Sequence, residues 1–140
     1  MASRLMANRV YTGKKDWKIL NAQAAIGGTG AITLNTSKSF GVASVTRTSA
    51  GLYVFTFGLN ANGTVKKDPY LQFLGMNFTF TGASAAASLV AAVSVTANAT
   101  ATAGTCTLTV SCLDFAGTPV DPASGEVMQA IFFFADSGAP

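Results

Sequence analysis

The 140-residue chain has no histidine and six carboxylates, so the commonest general acid–base group and the commonest metal ligand are missing. Its composition is 49% hydrophobic and 11% charged, against about 25% charged in ordinary domains, which leaves a weakly charged surface suited to burial against partners. All nine Lys and Arg lie in residues 1–67 beside one acid, a net +8, while residues 68–140 hold five acids and no base, a net −5; such halves can steer neighbouring copies, or an acidic partner surface, into one orientation.

The length fits one domain with its own core. The head, "MASRLMANRVYTGKK", carries Arg4, Arg9, Lys14 and Lys15 but no apolar run of signal-peptide length. No stretch reaches the ~18 apolar residues of a membrane span. These readings predict a chain that is neither secreted by a signal peptide nor held in a membrane. Residues 1–30 read as an extended arm or first strand, ahead of a single domain over 31–140. "GKKDWK", with Lys14, Lys15 and Trp17, is the nearest thing to a basic–aromatic patch. It lacks the interleaved pattern of nucleic-acid readers, and no nucleic-acid partner is expected.

"DWKILNAQAA" reads as a first strand or an irregular arm. "GGTG" (27–30) reads as a turn, without the helix-opening context of a phosphate loop. "AITLNTS" is a short strand and "SFGVASVTRT" a longer alternating one. After a turn at Ser49-Ala50-Gly51, "GLYVFTFGLN" is apolar on both faces, as a central strand is. Gly51 suits the positive φ that a tight hairpin turn needs. "YLQFLGMNFTFTG" sets Phe78 and Phe80 against Asn77, Thr79 and Thr81, a half-buried antiparallel pattern. "SAAASLVAA" could open as a helical turn, and the alternation after it reads as a strand. In "GTCTLTVSCLDF", Cys106, Leu108, Val110 and Cys112 face inward. Cys106 and Cys112 are ~20 Å apart along a straight strand, too far for a bridge within it, and read as small buried hydrophobes.

"AGTPVDPASGE" is the strongest turn signal. "EVMQAIFFFAD" follows as a buried strand whose three successive Phe need both faces covered. The last two strands are expected to pair across the Pro-Gly loop. Seven or eight strands at regular spacing predict an all-β, antiparallel, jelly-roll-like sandwich.

No nucleophile–base pair, ligand cluster or phosphate loop emerges, so no enzyme and no cofactor is expected. Several of the carboxylates sit beside Pro or Gly, where Asp usually serves a turn. A carbohydrate-binding sandwich is the alternative of another class, and Trp17, Tyr11, Tyr53 and Tyr70 could form its aromatic platform. Arg47 has two open roles: a partner for a C-terminal acid, within the domain or across a subunit boundary, or a solvated strand-end residue.

Over residues 38–140, "FGVASVTRTSAGLYVFTF" and "VDPASGEVMQAIFFFADSG" resemble small β-rich virion proteins of tailed bacteriophages. The low-complexity section 82–104 matches least, and residues 1–30 have no part in it. The resemblance implies a head-decoration or cement subunit, often trimeric, made in the host cytoplasm and seated on the capsid surface against the major capsid protein or another virion protein. A tail or collar component is the neighbouring possibility. On this reading Arg4, Arg9, Lys14, Lys15, Trp17 and Arg47 are the candidate capsid or subunit contacts.

Overall fold

The structure is a computed structural model that describes residues 9–12, 15–57, 70–82, 90–97 and 106–136; residues 9–12, 15–17, 70–72, 90–97, 106, 135 and 136 are described by backbone alone. The described residues form nine strands and one 3-10 turn. In chain order the strands are β1 (Arg9–Thr12), β2 (Lys15–Ile26), β3 (Ile32–Leu34), β4 (Val42–Ser49), β5 (Leu52–Phe57), β6 (Tyr70–Thr81), β7 (Val90–Ala97), β8 (Cys106–Leu113) and β9 (Val127–Asp136). The two shortest, β1 and β3, bring the total above the seven or eight expected. The 3-10 turn occupies Gly28–Gly30, where "GGTG" reads as a turn.

The strands make two antiparallel sheets, so the expected all-β sandwich is the fold. The larger sheet runs β1-β2-β9-β6, with β3 also paired to β2; the smaller runs β4-β5-β8-β7. Alternation puts one face of each strand inside. From the larger sheet come Leu20, Ala22, Ala24 and Ile26 of β2 and Met128, Ala130, Phe132 and Phe134 of β9; from the smaller come Val45, Tyr53, Phe55, Phe57, Leu108, Val110 and Cys112. Phe55 and Phe57 interleave with Phe132 and Phe134 at ring separations of 4.9–5.1 Å, tilted or edge-on. Those are favourable aromatic geometries, and they join the two sheets.

One expectation needs correction. β8 and β9 do not pair: β8 lies between β5 and β7, and β9 between β2 and β6. The connection between them crosses from one sheet to the other. The amide of Ile26 donates to the carbonyl of Glu126, and the amide of Gly125 to that of Ile26, which steers the chain onto β2. Of the two readings of "DWKILNAQAA", the structure takes the strand: Lys15–Ile26 is β2, which gives four residues to the core. The covering of β9 is also uneven. Phe132 and Phe134 are fully buried, Phe133 is half-buried, and Ile131 on the outer face is 43% exposed.

Candidate functional site

Polar chemistry among the described residues gathers around Asp121, in the β8–β9 connection. The Arg47 guanidinium at the far end of β4 meets this carboxylate side-on: Nε donates to Oδ1 at 2.9 Å and a terminal nitrogen to Oδ2 at 2.7 Å. This two-pronged geometry is the strong form of an Arg–carboxylate pair. Of the two roles open to Arg47, the structure places it against a C-terminal acid of its own chain.

The β4–β5 turn adds a second donor. Ser49 lies opposite Leu52, so Ala50 and Gly51 form a two-residue loop. Gly51 has φ +68, the left-handed region that favours glycine, and its amide donates to Asp121 Oδ1 at 2.8 Å. A side chain here would stand 2.6 Å from the Val120 amide nitrogen and 2.7 Å from the Cys112 carbonyl oxygen. Those groups are themselves tied: Cys112 donates to the Gly51 carbonyl, and Val120 to the Cys112 carbonyl.

Tyr53 supplies the third contact. Its ring is in the core and its hydroxyl emerges between two acceptors, Asp121 Oδ1 at 3.0 Å and the Gly30 carbonyl at 3.2 Å. Gly30 has φ +72, and a Cβ on it would lie 2.2 Å from Asp121 Cγ. Four segments, from the 3-10 turn, β4, the β4–β5 loop with β5, and the β8–β9 connection, therefore converge on one carboxylate.

The electrostatics follow. The hydrogen bonds from Arg47 are the main cause that holds Asp121 down to about 2; partial burial opposes them, while the Gly51 amide, the Tyr53 hydroxyl and the Arg47 charge assist. Burial, then the bond to Asp121, pushes Tyr53 well above its ordinary range. Arg47 is raised, chiefly by its bonds to Asp121. The Cys112 thiol is buried and pushed up to about 12, by burial first and the Asp121 charge second. At neutral pH the carboxylate has no proton to give, the phenol keeps its proton, and the thiol is not a thiolate nucleophile. The arrangement acts as a clasp that locks turns together. Among the described residues no group of three or more Cys, Asp or Glu could hold a metal ion.

The other predicted contacts lie elsewhere. Arg9, Lys15 and Trp17 belong to the β1–β2 hairpin, where Arg9 is opposite Lys18, Val10 opposite Trp17 and Thr12 opposite Lys15. Arg4 and Lys14 are outside the described residues, as are residues 84–89 of "SAAASLVAA", whose last three residues, Val90 to Ala92, begin strand β7. Of the proposed aromatic platform, Tyr53 is wholly buried and cannot serve. Sequence reading treated Asp121 as a turn residue and missed Gly30 and the Tyr53 hydroxyl. Asp114 does serve a turn, its Oδ1 accepting from the amides of Ala116 and Thr118. Glu126, 1% exposed, is a buried carboxylate that sequence reading did not single out.

No protein-family model matches the chain, and neither a curated protein nor a solved structure does.

Proposed function

We propose that this protein is a bacteriophage virion structural subunit of the head-decoration or cement type, which binds and stabilises the shell through protein–protein contacts. The observation that carries the reading is the Asp121 clasp. The two stretches that resemble virion proteins, around "VTRTSAGLY" and "VDPASG", are the two that it fastens: Arg47, Gly51 and Tyr53 come from one, Asp121 from the other. This multiply hydrogen-bonded network around one carboxylate thus serves rigidity, as suits a building block. Assembly as a homo-oligomer, a trimer on the resemblance, fits the low surface charge and the opposed charges of the two halves.

The test is the native mass, followed by co-sedimentation with shells of the cognate major capsid protein. A homo-oligomer that sediments with shells is the expected outcome, with binding weakened by Arg4→Glu and Arg9→Glu. A strict monomer that ignores shells and binds glycans overturns the reading. Shell binding that survives both substitutions moves the contact away from the N-terminal segment.

A further inference from the structure

β6 ends the larger sheet. β9 pairs with one side of it, and among the described residues nothing pairs with the other. Proteins ordinarily guard such an edge with a charge, a proline, a bulge or a very short strand, because its free amides and carbonyls recruit another strand. β6 is twelve residues long and contains neither a charged residue nor a proline. Its two bulges, with Leu71 and Leu74 as the extra residues, fall in its first half. From Gly75 to Thr81 the register with β9 runs one to one, so this half of the edge carries none of those guards.

The side chains show the same incompleteness. Met76, Phe78 and Phe80 point inward beside Phe132, Ala130 and Met128 of β9. The β9 residues are buried, while Met76, Phe78 and Phe80 pack on the core and stay partly exposed. Among the described residues they have no neighbour beyond β6.

We infer that the Gly75–Thr81 edge pairs antiparallel with the same edge of a second copy, across a two-fold axis at Phe78. Two features select a copy of this chain over a foreign strand. A strand that meets itself brings a charge on or next to the two-fold axis opposite or diagonal to its own like, which is unfavourable, and β6 has no charge to repel its copy and none to attract a complementary stranger. The register about Phe78 is also self-matching. Met76 faces the partner's Phe80 and Phe78 faces the partner's Phe78 on the inner side, while Asn77 faces the partner's Thr79 on the outer side. Such a contact is isologous and extends the larger sheet through two molecules. It deepens the self-association in the proposed function and does not depend on the shell; in a trimeric protein it would join trimers in pairs.

The register dictates the test. In N77K/T79K, two lysine–lysine pairs face each other across the axis; in N77K/T79E, the same positions form two opposite-charge pairs. Asn77 and Thr79 are exposed, so dichroism and melting of dilute samples check that both variants fold. Sedimentation up to about 100 µM, where even weak contacts populate, should show N77K/T79K at half the wild-type mass and N77K/T79E at the full mass. Amides of 75–81 should exchange faster as wild-type protein is diluted. A folded N77K/T79K of unchanged mass overturns the contact and leaves the virion reading standing. So does edge protection that ignores concentration, since the chain then covers its own edge. A wild-type monomer at the top concentration removes this contact and the self-association together.

Discussion

β5 and β6 carry the same kind of aromatic run, "LYVFTF" and "MNFTFT", and meet opposite fates. Tyr53, Phe55 and Phe57 are fully buried; Phe78 and Phe80 are only partly so. Both strands alternate, and both point their rings at the same core. The difference lies in their neighbours. β5 has β4 on one side and β8 on the other, while among the described residues β6 has β9 alone. β5 is also anchored at its start by the clasp. Aromatic content makes a strand, but the strands beside it decide whether its rings are sealed or left half-covered.

The largest effect should come from emptying the sealed end of that comparison. Phe55→Ala removes a ring packed on Phe78 and Phe132 and should cost about 3–5 kcal/mol, the usual range for a buried Phe. Phe80→Ala, at the half-covered edge, should cost roughly half as much. Equal costs in denaturant titrations would mean that β6 is as well covered as β5.

The glycines sharpen the contrast. Gly51→Ala would hold a side chain at positive φ and drive it into the backbone of Val120 and Cys112, at a cost of roughly 2–3 kcal/mol. Gly75→Ala, in β6, meets nothing within 4 Å and should be neutral or slightly stabilising, since Ala loses less backbone freedom than Gly. Chemical denaturation of the two variants side by side reads this directly. A tolerated Gly51→Ala would show that the turn and the connection beneath it can separate.

How much of this was legible differs along the same line. The β5 face pattern, the Gly51 turn and the alternation of β6 follow from spacing within a strand, which the sequence displays. Whether a strand is central or at an edge depends on partners far along the chain. The pairing expected of the last two strands failed for that reason: a Pro-Gly loop looks alike whether it turns back or crosses between sheets. The clasp was half visible. A lone Arg among Thr and Ser stood out, but its partner lies 74 residues away, inside "VDPASG", where an Asp reads as a turn former. The Tyr53 hydroxyl was hidden in an aromatic run whose obvious use is core.

Asp121→Asn tests the clasp without emptying space. The amide keeps some hydrogen bonding and loses the charge, at a cost of roughly 1–2 kcal/mol at neutral pH. The sign with pH is fixed. The native carboxyl is lowered to about 2 from an ordinary 3.8, so its contribution is complete above the unfolded value and fades as pH falls from there through about 2. The stability gap between wild type and Asp121→Asn should therefore be full at pH 6 or 7 and close on acidification (about pH 4 downward). A gap that stays constant down to pH 2 would locate the effect in side-chain shape instead of charge.

Tyr53→Phe should be the mildest of these changes and the most telling about where β5 ends and the clasp begins. The ring stays in the core and only the hydroxyl goes. Asp121 keeps the Arg47 fork and the Gly51 amide, and Gly30 loses one donor to its carbonyl. The expected cost is about 1 kcal/mol, that of one ordinary hydrogen bond. Because Asp121 loses one of the donors that lower it, its carboxyl should titrate at a higher pH than in wild type, which carboxyl NMR shifts would follow. Loss of stability without that upward movement would mean the hydroxyl serves Gly30 alone, binding β5 to the 3-10 turn and leaving Asp121 to Arg47 and Gly51.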